Sequence, residues 1–122
     1  GIKTLRHLCI DIQSTYDGKN SCIGEIELLD EGGNVIGKRK WNIVHTNTEM
    51  AGSDIAENMI DGDEATAWHS ASENTKAMPH QLIVDLGNIR TVKGFRIFVA
   101  DKNDGCIKDF RLYGRPQFFL YE

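Results

Sequence analysis

Apolar residues recur at every second position in several short runs of this chain, and that period limits what it can fold into. In "LRHLCIDIQ" (5–13), Leu5, Leu8, Ile10 and Ile12 alternate with polar neighbours. In "CIGEIELLD" (22–30), Ile26 and Leu28 fall on one face and Glu25 and Glu27 on the other. A period of two is the pattern of a half-buried strand. No window beyond about ten residues keeps a helical period, so no long helix is expected. "STYDGKNS" and "EGGN" are rich in turn formers, and "VIGKRKWNIVHT" gives a further short strand or two. Residues 46–58 are small and polar, a loop with room for one helical turn around "SDIAENMI". "HQLIVDLG" reads as a strand closed by glycine, followed by "VKGFRIFVA" and "IKDFRLYG", with "KNDG" as a hairpin-like connection and "FFLYE" as a final strand. Short strands at regular spacing predict an antiparallel β-sandwich or barrel, with Trp41 and Trp68 as core plugs.

The 122 residues make one domain, long enough to bury a core without staples. A formal charge of −4 supplies no basic footprint, which excludes nucleic acid as a partner class. There is neither an apolar run of membrane-spanning length nor a signal-peptide pattern. Cys9, Cys22 and Cys106 form no C-x-x-C pair and are expected to be plain core or edge residues.

The chemistry concentrates in "NMIDGDEATAWHS" (58–70). Asp61, Asp63 and Thr66 supply hard oxygens, and Gly62 permits a tight turn, a combination suited to calcium. An EF-hand is excluded, because Thr66 and Ser72 stand where that loop needs glycine and glutamate. From spacing alone an Asx-type turn with solvated carboxylates serves equally well. A catalytic reading is weaker: no G-x-S-x-G, H-E-x-x-H or phosphate-cradling loop occurs. His7, His45, His69 and His80 lack the i, i+4 pairing of a zinc site. Asp61 and Asp63 sit in a glycine turn without the apolar pocket a glycosidase acid requires. The chain is therefore not expected to be an enzyme.

Taken in order, "NMIDGDEATAWHS", "MPHQLIVDLGNIRTVKGFRIFVA" and "DGCIKDFRLYG" resemble the discoidin domain, the coagulation-factor V/VIII C-type family that includes carbohydrate-binding module family 32. Matching elements span residues 58–114. The strands "IKTLRHLCIDIQ" and "SCIGEIELLD" look like the family's two closing strands, yet they come first, so the chain reads as a circular permutant. On that reading residues 1–29 are equivalent to the family's closing strands and 46–114 to its opening part, in one domain of 1–122. The resemblance implies an all-β fold, an antiparallel β-sandwich of jelly-roll, galactose-binding-domain-like type.

The same resemblance implies a structural calcium site, with sodium possible on the same oxygens. Asp61 is the side-chain ligand, Asp63 a carbonyl ligand, Thr66 a hydroxyl or carbonyl ligand and Asn58 a carbonyl ligand. Glu25 on the permuted strand completes the set, with the carbonyl of Gly24. For the ligand it implies a glycan, galactose-like or an amino sugar, held in loops at one end of the sandwich. His69 matches the family's ligand histidine, and Glu49, Asn47, Lys102, Asn103 and Asn74 are loop residues able to bond sugar hydroxyls. Two departures bear on galactose: Ala100 or Asp101 stands where relatives carry arginine, and Gln81 follows "PH" where an aromatic platform would help. An anionic membrane is disfavoured by the acidic balance and scarce loop aromatics. The expected setting is extracellular or at the cell surface, as a module of a larger multidomain protein, accessory to a secreted glycan-active enzyme or adhesin. A protein-interaction or architectural role in a surface or phage-tail assembly is the alternative.

Overall fold

A computed structural model describes residues 2–99 and 107–115. Alternation makes strands wherever the sequence shows it. β1 (Lys3–Thr15), β2 (Cys22–Ile23), β3 (Glu25–Leu29), β4 (Asn42–Thr46), β5 (Trp68–His69), β6 (His80–Val92), β7 (Gly94–Phe98) and β8 (Ile107–Arg115) follow in chain order, with one 3₁₀ turn at Ala56–Ile60. The described residues contain no α-helix.

β4, β6, β1 and β8 form a four-stranded sheet in that order, and β2–β5 and β3–β7 form two-stranded ribbons. All the strand pairs are antiparallel. The core is the layer between them. Leu8, Ile10 and Ile12 of β1 and Leu82, Val84 and Leu86 of β6 cluster with Ile26 and Leu28 of β3, and Phe95 and Ile97 of β7 pack against the cluster. Trp68 and Trp41 are buried at 0% and 6% exposure, so both are the core plugs expected. This is the all-β, antiparallel sandwich that the alternation predicts. Cys9 and Cys22 are buried as reduced thiols, and Cys106 lies outside the described residues.

Three local expectations need correction. β6 does not close at Gly87. It runs on to Val92 through a register shift, in which Leu5 of β1 pairs with Arg90 while His7 pairs with Asp85. Gly87 serves that shift, with φ +80 and a position where a Cβ would lie 2.7 Å from the Lys40 carbonyl oxygen. β7 and β8 are not hairpin partners, since β7 pairs with β3 and β8 with β1 in different sheets, and "KNDG" itself lies outside the described residues. Glu25 is not on a solvent face: it is 3% exposed. The strand suggested at "FFLYE" lies outside the described residues.

Asp85 secures the shift. Its Oδ1 accepts from Arg6 Nε at 3.0 Å and from the Gly87 amide at 2.9 Å, and its Oδ2 from Arg6 Nη2 at 3.4 Å. Burial pushes the Asp85 carboxyl up, but the Arg6 hydrogen bond and the Gly87 amide outweigh it and hold the group below the usual carboxylate range. A carboxyl lowered on folding stabilises the protein above its unfolded pKa, and that contribution is lost as the pH falls through the folded value. Asp85→Asn is therefore expected to cost about 1–3 kcal/mol at neutral pH, in proportion to a charge-assisted hydrogen bond. The cost should shrink once the pH falls below about 4, where an unfolded aspartate protonates. Urea midpoints at pH 7 and pH 3 check this, and an equal difference at both would refute it.

Candidate functional site

The segment from Met50 to Ser70 is drawn onto the sandwich by its own polar groups. Trp68 Nε1 donates to the Thr48 carbonyl at 2.9 Å, and the Ala71 amide donates to Thr48 Oγ1 at 2.9 Å. β5 pairs Trp68 with Ile23 and His69 with Cys22. The Asn58 side chain clamps the base of the turn, its Nδ2 donating to the carbonyls of Ser53 and Ala67, both at 2.9 Å. Its main-chain carbonyl lies 3.5 Å from Thr66 Oγ1, on the turn.

The turn itself is a gathering of acceptors. Asp61 Oδ1 accepts the Asp63 amide at 2.8 Å, and Asp63 Oδ1 accepts the Ala65 amide at 2.8 Å. Both are Asx-type bonds, and Gly62 at φ +78 allows the bend between them. Thr66 Oγ1 then lies 2.5 Å from Asp61 Oδ2, 3.1 Å from the Asp63 carbonyl and 3.5 Å from the Asn58 carbonyl. A hydroxyl has a single proton to donate, so acceptor oxygens outnumber donors here.

Glu25 reaches the same turn from β3. Its Oε2 accepts the Gly62 amide at 3.1 Å and the Lys38 ammonium, and its Oε1 is buried with no hydrogen-bond partner. Burial pushes the Glu25 carboxyl up, against the Lys38 bond and charge and the Gly62 amide, and the Asp61 charge adds to the rise. Asp61 is also raised by burial, but the Thr66 hydroxyl and the Asp63 amide hold it below the usual range. Gly24 precedes Glu25 and donates its amide to the Phe98 carbonyl at 2.8 Å. Five of the six expected metal residues thus present oxygens at one turn, and Gly24 adjoins them. No set of three acidic, histidine or cysteine side chains able to hold a metal ion occurs among the described residues. The donors are instead mixed carboxylate, carbonyl and hydroxyl oxygens, the chemistry that suits a hard cation. Lys38 was not legible as part of this site.

The expected ligand residues are less free. Glu49 Oε1 accepts the Ala56 amide at 3.0 Å and so caps the 3₁₀ turn. Asn47 is used at both ends of its amide, by the Pro79 carbonyl at 3.0 Å and the Gln81 amide at 2.9 Å. His69 is half-buried, with Nδ1 2.5 Å from the Ser70 carbonyl. Asn74 is exposed at φ 52. Glu49, Met50, Ala51, Ala71, Ser72 and Glu73 line an open depression. Lys102 and Asn103 lie outside the described residues, as do Ala100 and Asp101. Ser21 and His80 form a close pair, 2.5 Å from Oγ to Nδ1, with Nε2 2.7 Å from the Lys76 carbonyl. Both residues are fully buried, which makes the pair a core bond rather than a nucleophile and base.

An antiparallel β-sandwich with an oxygen-rich turn and a loop-lined depression defines a binding module. The F5/8 type C domain model matches residues 43–117, and the chain belongs to that family. Its members are binding modules, commonly for carbohydrates or other ligands, and are generally non-catalytic. No curated protein sequence matches the chain.

Asn58→Asp is expected to destabilise the protein by roughly 2 kcal/mol or more, because a carboxylate would face the Ser53 and Ala67 carbonyls without the donated protons. Denaturant unfolding monitored through tryptophan fluorescence measures the loss.

Proposed function

We propose that this chain is a non-catalytic carbohydrate-binding module with a structural calcium ion, working outside the cell as an accessory to a glycan-active enzyme or adhesin. The observation that carries the metal part is the surplus of acceptors at the turn, together with the partnerless buried Oε1 of Glu25. The Asn58 and Asp63 carbonyls, Asp61 Oδ2, Thr66 Oγ1 and the Glu25 carboxylate would hold the ion, with the Gly24 carbonyl beside them. A divalent ion would bring more positive charge to these oxygens than the single Lys38 ammonium on Glu25 does, and sodium would suit the same oxygens more weakly. The first 29 residues are read as the family's closing strands. In support, β1 lies between β6 and β8 in the main sheet, and β3 delivers Glu25 to the turn.

Family membership and the depression beside Glu49 support the glycan part. Weak single sites of this kind gain from linkage to a catalytic partner, which raises effective concentration at a polysaccharide surface. One observation favours the second reading, a protein-interaction or architectural module: Asn47 and Glu49 spend side-chain groups on the fold, leaving fewer for sugar hydroxyls.

Two measurements test the proposal. Calcium at 100 times its dissociation constant should add about 2.7 kcal/mol to stability by linkage. Chelation should then lower the melting temperature by several degrees, and an unchanged melt would remove the calcium assignment. Titration against hexoses and amino sugars should saturate and be lost in His69→Ala. Flat titrations across that panel would leave the interaction reading in its place.

A further inference from the structure

Lys38 stands on the metal turn from outside the family-like motifs. Its backbone is fixed: Ile36 is buried at 2% exposure and donates its amide to the Leu28 carbonyl at 2.8 Å, and the Trp41 amide donates to the Lys38 carbonyl at 3.0 Å. The side chain runs inward from that frame and sets its ammonium on Glu25 Oε2, with 14% of its own surface exposed. The Gly62 amide binds the same oxygen, so the carboxylate is anchored to the turn and cannot follow the lysine elsewhere. Glu25 Oε1 remains without a partner and is buried. A buried carboxylate requires a counter-charge. Lys38 supplies one.

We propose that Lys38 is a built-in competitor for the metal: its ammonium neutralises Glu25 when no ion is bound and must leave before a divalent cation can use that carboxylate. The inference rests on the calcium reading of the turn and adds to it what sets the affinity. Two positive groups on one carboxylate repel strongly at low effective dielectric, so ammonium and metal exclude each other. An ammonium can only donate hydrogen bonds. It neutralises Glu25, but as a flexible point charge it is poorly suited to gather the Asn58, Asp61, Asp63 and Thr66 oxygens as a metal ion does. The lysine also has somewhere to go. It lines two open depressions flanking the turn, one bounded by Glu27, Ile60 and Asp61 and the other by Asp63, Glu64 and Phe98. Its four-carbon stem can swing the charge into either without moving the backbone.

The test is a calcium titration by calorimetry in sodium-free buffer on the wild-type chain, Lys38→Met and Lys38→Gln, with melts in chelator beside it. Methionine keeps the apolar stem and removes the charge. The expected result is calcium affinity at least tenfold tighter in Lys38→Met, with Lys38→Gln between the two, and a lower melting temperature for both variants in chelator. Binding in Lys38→Met where the wild type binds none supports the competition while removing the calcium assignment for the wild-type chain, and a variant that folds only when calcium is added supports the competition too. Equal or weaker affinity in both variants overturns the competition and leaves the calcium site standing. No binding by any of the three chains overturns the competition together with the calcium reading.

Discussion

The placement of β1 is the constraint on which the rest of this molecule depends. It pairs with β6 along one edge and β8 along the other, so both neighbours come from the distant half of the chain. Its inward residues Leu8, Ile10 and Ile12 are buried within the core, and a slip of one position would turn them to the outer face. That register is pinned at the bulge, where Arg6 and Gly87 meet on Asp85. Once β1 is fixed, the chain turns through Asp17, whose Oδ1 accepts the amides of Lys19 and Asn20, both at 2.9 Å, and returns as β2 and β3. Glu25 then arrives at Gly62, 37 residues away in sequence, because β3 is held against β7 in the register that pairs Glu25 with Phe98.

The side chains of the loop segment divide between two tasks, and the division follows donor and acceptor chemistry. Amide side chains do the holding: Asn58 closes the turn with its donors, and Asn47 uses donor and acceptor together to join β4's end to β6's start. Carboxylates can only accept, and they are used where amides need capping, Glu49 at the 3₁₀ turn and Asp61 and Asp63 in their own Asx bonds. What remains after these pairings is a set of oxygens without protons, centred on Thr66. The oxygen cluster on which the proposed cation site rests therefore arises from ordinary satisfaction of the backbone.

Much of this was legible in the sequence, for reasons that particular residues make plain. Period-two alternation located β1, β3 and β6, because one face of each carries the apolar core residues, although Cys9, Glu25 and Asp85 on the other faces are buried as well. The Asp-Gly-Asp turn and the two core tryptophans were legible from local chemistry. Glu25 was a different case: alternation placed it on the face opposite Ile26 and Leu28, and only the family resemblance marked it as an expected metal ligand. Its burial depends on the Gly62 amide and on Lys38, which are distant in sequence and leave no local signal. Gly87 misled for a related reason. A glycine after a strand reads as a stop, whereas here it carries the strand through a close approach to Lys40. The pairing of β7 with β3, rather than with β8, is a matter of long-range topology that short motifs do not encode.

The turn proposed to hold a cation and the face proposed to hold a ligand share one stretch of chain, which raises the question of whether one would control the other. The turn ends at Thr66, and His69 follows only three residues later. Between and around them the backbone is tied at several points: the His69 amide donates to the Asp54 carbonyl at 3.1 Å, the Met50 amide to the His69 carbonyl at 2.8 Å, and the Ser70 amide to the Ser21 carbonyl at 2.9 Å. Trp68 is fully buried between turn and histidine. A displacement carried along the chain from Asp61 to His69 would pass Trp68, which is fully buried in a core of the kind that resists gradual deformation. The exchange proposed for Lys38 would take place in side chains, at Glu25. An ion held at the turn would therefore act on the stability of the module far more than on the shape of the face proposed for a ligand. Coupling between the two proposed sites along the chain would have to pass Trp68, which is fully buried and bonded through Nε1 to the Thr48 carbonyl.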